Sequence, residues 1–353
     1  DETYDLSNQY IESYSDIDTD IFIETGKIKR IPEDEFSIIE KEFDKKEINH
    51  FESLFALGNG YLGIRGTYDE PTEGEINGMY INGVFATSEY KHIAAFKGFA
   101  KQNEFTVNLP DWRIFTVSAD GETASLLKGN ITNHERRLEF NTGRLVRSFI
   151  FETDSGKKIK VESIRLVNRN DVHGAEIKYS VTPVNFSGSV SVESRIIKNT
   201  KLNNNIYTVT ESEAFENDIY TLKQLIPTTR QFAVLSATHS VTGRSFTAFE
   251  SNSSECFNYT VKFDLEKDEE ASVSKYVAFA GSIDKIEDAE NFTKKSVEEN
   301  KKKGFDFFLK EQELFWKNHF EKADIKIDGN IADQQAVRYS LFQLKQQLAT
   351  VNN

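Results

Sequence analysis

Between about residues 36 and 283 apolar and polar positions alternate with period two, in short runs rich in Val, Ile, Phe, Tyr and Thr that are broken by Gly, Asn and Asp. Alternation places every second side chain on one face of a pleated strand, so 105–107, 113–118, 145–152, 158–166, 175–182, 189–196, 206–211, 232–238 and 272–280 are predicted strands. So many strands with few helical stretches between them predict a large antiparallel sandwich. The grammar changes at Asp284. Nineteen charged residues fall within 284–322, and Phe305, Phe308, Leu309, Phe315, Trp316 and Phe320 recur near helical spacing. Two helices hinged near Gly304 are expected there, followed by a short break over 323–329. A last helix, capped by Asn330, carries Val337, Leu341, Leu344 and Leu348 at i, i+4, i+7 and i+11. Burying one such side chain stabilises by roughly 1.5 to 3 kcal/mol, so this stripe is expected to dock on the preceding helices around Phe308, Phe315 and Phe320.

Residues 52–66 read ESLFALGNGYLGIRG, within which Gly58, Gly60 and Gly63 match the dinucleotide spacing G-x-G-x-x-G. That fingerprint works only if a helix opens at the third glycine and turns its N-terminus to a pyrophosphate. Ile64-Arg65-Gly66-Thr67-Tyr68 and then Pro71 do not read as a helix. Asn59-Gly60 between apolar runs predicts instead a tight hairpin, with positive φ at Gly60 and the type I′ geometry that wants it at both central residues.

The 353 residues carry 43 Lys and Arg against 57 Asp and Glu, a net charge of −14, which opposes a polyanionic backbone and sets nucleic acid aside as a partner. Most of the excess lies in an acidic N-terminal extension, residues 1–35. Asp16, Asp18 and Asp20 open like a calcium loop, but Ile21 and Lys27 stand where such a loop needs Gly and Glu, so a solvated strand face is expected. No run is long and apolar enough to span a bilayer, and the opening DETYDLSNQY has no cationic or apolar leader region. The single Cys256 fits a reducing compartment, giving a cytoplasmic expectation. Five N-x-S/T sequons, beginning at Asn130, Asn185, Asn252, Asn258 and Asn291, are read as chance. The six histidines are scattered, so no metal site is expected, and Cys256 reads as a half-buried strand residue. Acid groups such as Glu33-Asp34-Glu35 and Glu269-Glu270 sit in polar turns and read as solvated surface.

The 52–66 stretch closely resembles the N-terminal signature of glycoside hydrolase family 65, the maltose, kojibiose and trehalose phosphorylases and related α-glucoside hydrolases. Further blocks follow in order: YINGVF at 80–85, NLPDW at 108–112, RLEFNTGRLVR at 137–147, the 173–177 stretch with TPVNFSG at 182–188, and DQQAVRYSLFQL at 333–344. The resemblance covers about residues 36–348, and residues 1–35 match no part of it. It implies a galactose mutarotase-like β-supersandwich over 36–283, a helical linker over 284–329, and, over 330–353, the first helix of a truncated (α/α)6 barrel. It also implies that the general acid, a glutamate, lies in the rest of that barrel, so no catalytic residue is carried over. Inorganic phosphate is the implied co-substrate if the parent is a phosphorylase. Cleavage of an α-glucosidic disaccharide with inversion is the implied reaction, by phosphate or by water.

Sugar recognition commonly uses aromatic faces beside planar hydrogen-bonding groups. Trp112, Tyr80, Asn82 and Arg65 are the carbohydrate-contact candidates, although Trp112 also suits the core and Arg65 a structural ion pair. The stretch 86–104, with Tyr90, His92, Phe96, Lys97 and Phe99, is long for a hairpin connection and is expected to reach toward a barrel's mouth. The expected partners are the catalytic barrel of the same protein, a disaccharide ligand and a second copy in a homodimer. Two rival readings stand beside this one: a stand-alone carbohydrate-binding module, and a structural or dimerisation module without sugar affinity.

Overall fold

The computed structural model describes residues 31–89, 97–98, 100–199 and 208–348. The chain divides into Asp1–Pro32 and Glu33–Asn353, and the architecture below is that of the second unit. Residues 1–30 of the acidic extension, and with them its calcium and strand readings, lie outside the described residues, as do Tyr90, His92, Phe96 and Phe99.

Two antiparallel sheets make the sandwich. The larger has nine strands in the spatial order Ser37–Glu40, Ile131–Glu139, Arg144–Glu152, Lys158–Val167, Gly174–Pro183, Ala271–Gly281, Gln231–Thr242, Ile219–Ile226 and Val209–Glu216. The smaller has five, in the order Phe246–Asn252, Cys256–Leu265, Gly188–Ile197, Phe115–Ala119 and Glu122–Thr123. Alternation decides the register. In Arg144–Glu152 the odd positions Leu145, Arg147, Phe149 and Phe151 are buried, and Phe149 lies opposite Val161 of the next strand. The sheets meet through Phe115 stacked on Tyr179 and Tyr220 stacked on Phe257. Ala271–Gly281 is buried along its whole length, as a central strand covered on both faces must be.

The space between the sheets is not purely apolar. Arg136, Arg147, Arg165 and Lys275 project from the inner face of the large sheet, and each is at most 3% exposed. The segment 65–78 lies over them as a strap. Asp69 meets Arg165 at 2.8 Å, Glu70 forks onto Arg147, and the carbonyls of Gly66 and Thr67 accept from Arg136 and Arg165. Glu40 pairs with Arg136 at 2.8 Å and accepts the Tyr68 hydroxyl at 2.7 Å. Lys275 donates to the carbonyls of Trp112, Ile114 and Arg195, which ties the large sheet to the small one. Glu40, Asp69, Glu70 and Asp111 are buried along this seam and Glu52 and Glu176 are buried elsewhere in the fold, none of which stands out by composition, whereas Glu33 and Glu35 remain at the surface.

Among the described residues four α-helices complete the unit: α1 (Ile48–Leu54), α2 (Ala289–Lys303), α3 (Phe305–Ala323) and α4 (Ile331–Gln347). The hinge between α2 and α3 is Gly304, whose φ of +81° favours glycine. Both helices cover the outer face of the large sheet. Phe305 and Phe308 pack on Leu166 and Tyr276, and Ala289 packs on Val234 and Ala280.

The last helix docks on α3, as the spacing predicts, but with a different face. Phe342 stacks on Trp316 with ring centroids 4.4 Å apart, while Leu344 and Leu348 are 62% and 60% exposed. The buried face is largely polar and consists of Gln334, Gln335, Arg338, Phe342 and Gln346. Its amides are paired with backbone: Gln334 bridges Ile325 and Ile327, and Gln335 donates to the Ser37 carbonyl at 2.7 Å. Arg338 binds Asp324 and Glu35 at 2.8 Å and lies over the Phe36 ring. Satisfied buried amides carry little penalty, so specific hydrogen bonding rather than the leucine stripe sets the helix's rotation.

Candidate functional site

The 52–66 motif forms a hairpin. Leu57–Gly58 pairs with Leu62–Ile64, which in turn pairs with Met79–Ile81. Gly63 thus lies in a strand opposite Tyr80, and no helix opens there. Gly60 has φ +87°, as expected, but Asn59 stays out of the left-handed region, so the turn is not type I′. The Asn59 side chain does the closing instead. Its oxygen accepts from the amides of Tyr61 and Leu62 at 2.9 and 2.7 Å, and its nitrogen donates to the carbonyls of Asn168 and Val172 at 2.7 and 2.9 Å. All of its polar capacity is used while it is fully buried, which fixes the hairpin tip against the large sheet.

Tyr61 is held just as firmly. Its hydroxyl donates to Asp284 at 2.5 Å and its ring lies 4.5 Å from that of His173. Burial and the Asp284 carboxylate both push its phenol well above the ordinary tyrosine range. On the other side α4 arrives. Gln346 accepts from the Gly58 amide at 2.7 Å and donates to the Ala56 carbonyl at 3.3 Å, and Tyr339 donates to the Leu54 carbonyl. Arg169, pushed down to about 10 by burial, sits beneath and reaches the carbonyls of Gly58 and Gln346.

Between hairpin and helix runs a groove of about 420 Å³, lined among others by Tyr61, Tyr80, Asn82, Phe85 and Gln343. Tyr80 is half-buried, and its burial raises its phenol against the opposing pull of Arg65. Asn82 is exposed and donates to the Gly60 carbonyl at 3.2 Å. These two candidates are brought together. The other two are elsewhere. Trp112 is 3% exposed, packed in the core beside Leu62, Met79 and Phe279 around a void of about 10 Å³, which is barely one water. Arg65 binds the buried Glu52 carboxylate at 3.4 Å and the Asn49 carbonyl. Of the 86–104 stretch, the ends form a two-stranded ribbon, Phe85–Glu89 with Gln102–Thr106.

The groove offers aromatic faces and amides, and none of its lining residues is a carboxylate or a histidine. It can recognise a polyhydroxylated ligand, but it holds no acid and base pair for bond cleavage. Among the described residues, no three His, Cys, Asp or Glu side chains converge as a metal cluster. The glutamines from α4 enter the lining from about 290 positions further along the chain than the hairpin, and the only trace of this in the sequence is their i, i+3 spacing at 343 and 346.

The chain is thus an antiparallel β-sandwich with helices docked on its larger sheet and a groove between its glycine hairpin and last helix. Residues 38–319 match the family described as Glycosyl hydrolase family 65, N-terminal domain. The chain belongs to that family. It is 30% identical over 339 residues to an alpha,alpha-trehalose phosphorylase of Thermoanaerobacter brockii, covering 89% of this chain and 43% of that protein. It is 27% identical over 328 residues to a kojibiose phosphorylase of Caldanaerobacter subterraneus, covering 87% of this chain and 40% of the relative. The solved structure of a putative kojibiose phosphorylase from the human microbiome shares the fold, with a TM-score of 0.80 at 24% identity, over 90% of this chain and 42% of that one. The chain thus spans less than half the length of these relatives. No described helix is long and apolar enough to cross a membrane.

Proposed function

We propose that this chain is the sandwich and linker portion of a phosphorylase that cleaves an α-linked glucose disaccharide, such as trehalose or kojibiose, with inorganic phosphate as co-substrate. Bond cleavage takes place in a helical barrel that α4 begins and the remainder of the protein completes. The observation that carries this reading is the inverted face of α4. A helix that buries its amides and leaves Leu344 and Leu348 in water has an apolar face open to further helices. Tyr80 and Asn82 stand on the same side of the molecule as α4's glutamines and are assigned the contacts to sugar. The two relatives named as phosphorylases support phosphate over water. The test is to incubate the pure chain with trehalose or kojibiose and phosphate and assay glucose 1-phosphate. No release is expected. Phosphate-dependent release would place the catalytic acid within these residues and overturn the division of labour.

A further inference from the structure

A buried charge without a counter-charge costs far more than a paired one, so a fold normally brings a carboxylate to each arginine it encloses. Six arginines are buried among the described residues, and five of them follow this rule. Arg113, Arg136, Arg147, Arg165 and Arg338 each have a carboxylate oxygen within 2.8 Å. Arg169 has none. It is 4% exposed, and among the described residues its guanidinium makes only two long hydrogen bonds, from Nη1 to the carbonyls of Gly58 at 3.5 Å and Gln346 at 3.4 Å. Its Nε and Nη2 have no partner.

Nε and Nη2 lie on one edge of the guanidinium plane, the donor pair that takes two oxygens of one anion in a fork. What surrounds Arg169 adds donors, and no carboxylate offsets the burial that lowers its pKa. The guanidinium carbon lies 4.9 Å from the centre of the Phe315 ring and 5.8 Å from that of Trp316, and Lys345 Nζ lies 5.7 Å from the same Phe315 ring. His319 packs on Trp316 with ring centroids 5.7 Å apart. Its imidazole is held below the ordinary range first by burial and then by the charges of Lys345 and Arg169, so the three basic side chains lie within one another's fields. The Nε2 of His319 and the amide nitrogen of Gln343, which lines the groove, are likewise without a partner. These groups come from α3, from α4 and from the residues after Lys158–Val167, and only the tertiary fold assembles them.

We propose that Arg169, His319 and Lys345 form a binding site for a phosphoryl group, in which Nε and Nη2 of Arg169 take two of its oxygens and Lys345 a third. Charge selects this class of ligand. Arg169 and Lys345 supply two positive charges, which match the charge of about −1.5 to −2 on a phosphate near neutral pH and exceed that of a single carboxylate. The group can arrive as inorganic phosphate or on a sugar phosphate, and the chemistry at the fork is the same for both. The inference stands on the uncompensated guanidinium rather than on the identity of the co-substrate, and its test uses no disaccharide.

Thermal unfolding of the 353-residue chain at neutral pH and constant ionic strength tests it, with inorganic phosphate, glucose 1-phosphate and acetate added in separate series. A ligand of the folded state raises the midpoint by mass action, so a saturating rise with a phosphoryl compound is expected and little change with acetate. A rise with phosphate alone assigns the site to the free ion, a rise with glucose 1-phosphate alone assigns it to the sugar phosphate, and a rise with both assigns it to the phosphoryl group from either source. Arg169→Met removes the uncompensated charge, keeps an aliphatic stem against the rings, and should abolish the rise. Lys345→Gln, at a half-buried position on α4, should weaken the apparent affinity about tenfold through loss of one charge-assisted hydrogen bond, and it carries the test should Arg169→Met fail to fold. No rise with either phosphoryl compound, an equal rise with acetate, or a rise that Lys345→Gln or a folded Arg169→Met retains in full would overturn the proposal.

Discussion

Glu176 is fully buried beneath the linker helices, and a single donor, Asn168 at 2.9 Å, serves its carboxylate, leaving its second oxygen without a partner. Burial raises its pKa well above the usual carboxylate range, Asn168 opposes the shift and the nearby Asp171 adds to it. The folded state therefore keeps a proton that the unfolded chain gives up near pH 4.5. Its contribution to stability is complete below that pH and is lost as pH rises toward the folded value. Glu176→Gln, which cannot ionise, should leave stability nearly unchanged near pH 4 and raise it progressively relative to wild type toward pH 8. Denaturant midpoints across that range check the trend, and a difference that does not vary with pH would mean the carboxyl is solvated. Nothing in the alternating run of Gly174–Pro183 marks Glu176 as buried, because the strand is covered on both faces and period two no longer separates inside from outside.

At the scale of elements, α4 shows what periodicity can and cannot decide. Its helical repeat and its Asn330 cap are local, and both are visible in the chain; Asn330 accepts from the Ala332 amide at 2.8 Å. Which face turns inward depends on backbone groups supplied by the 325–327 turn, by Ser37 and by the start of the glycine hairpin. The two faces should then respond oppositely to substitution. Phe342→Ala removes the ring stacked on Trp316 and should cost about 3 to 5 kcal/mol. Leu344→Gln alters a side chain that is already in water and should stay within about 0.5 kcal/mol of wild type. Urea unfolding followed by tryptophan emission reports both, since Trp316 is the ring Phe342 covers. Similar losses for the two variants would mean that the leucine stripe is buried after all.

Across the whole molecule, the charged seam between the sheets binds together segments that are distant in sequence. Arg147 from the large sheet meets Asp69 and Glu70 from the strap, and those acids hold its charge firmly against the desolvation that opposes it. A buried ion pair adds little over an apolar isostere, yet breaking one leaves a stranded charge. Glu70→Ala should therefore cost about 3 to 5 kcal/mol, whereas the joint replacement of Glu70 and Arg147 by Leu and Met should cost markedly less. A thermal unfolding series of both variants distinguishes a seam from incidental neighbours. If the double variant is no more stable than Glu70→Ala, the pair is not coupled.

Strand existence, the hinge at Gly304, the hairpin at Gly60 and the family signature were all determined by residues close together in sequence, since periodicity, capping and backbone conformation are local properties. Two of the four sugar-contact candidates, Tyr80 and Asn82, belong with the hairpin for the same reason, lying on the strand paired beside it and the turn that follows. Trp112 and Arg65 went to the core and to Glu52 because burial is decided by what the rest of the chain lays over a residue. The buried acids, the rotation of α4 and the uncompensated charge of Arg169 were likewise settled only by tertiary structure. Each depends on what the folded chain brings to a backbone or side-chain group, such as Arg147 reaching Glu70 from 77 positions away or Gln335 reaching Ser37 from 298, or, for Arg169, on no described carboxylate reaching it, and no local pattern encodes that.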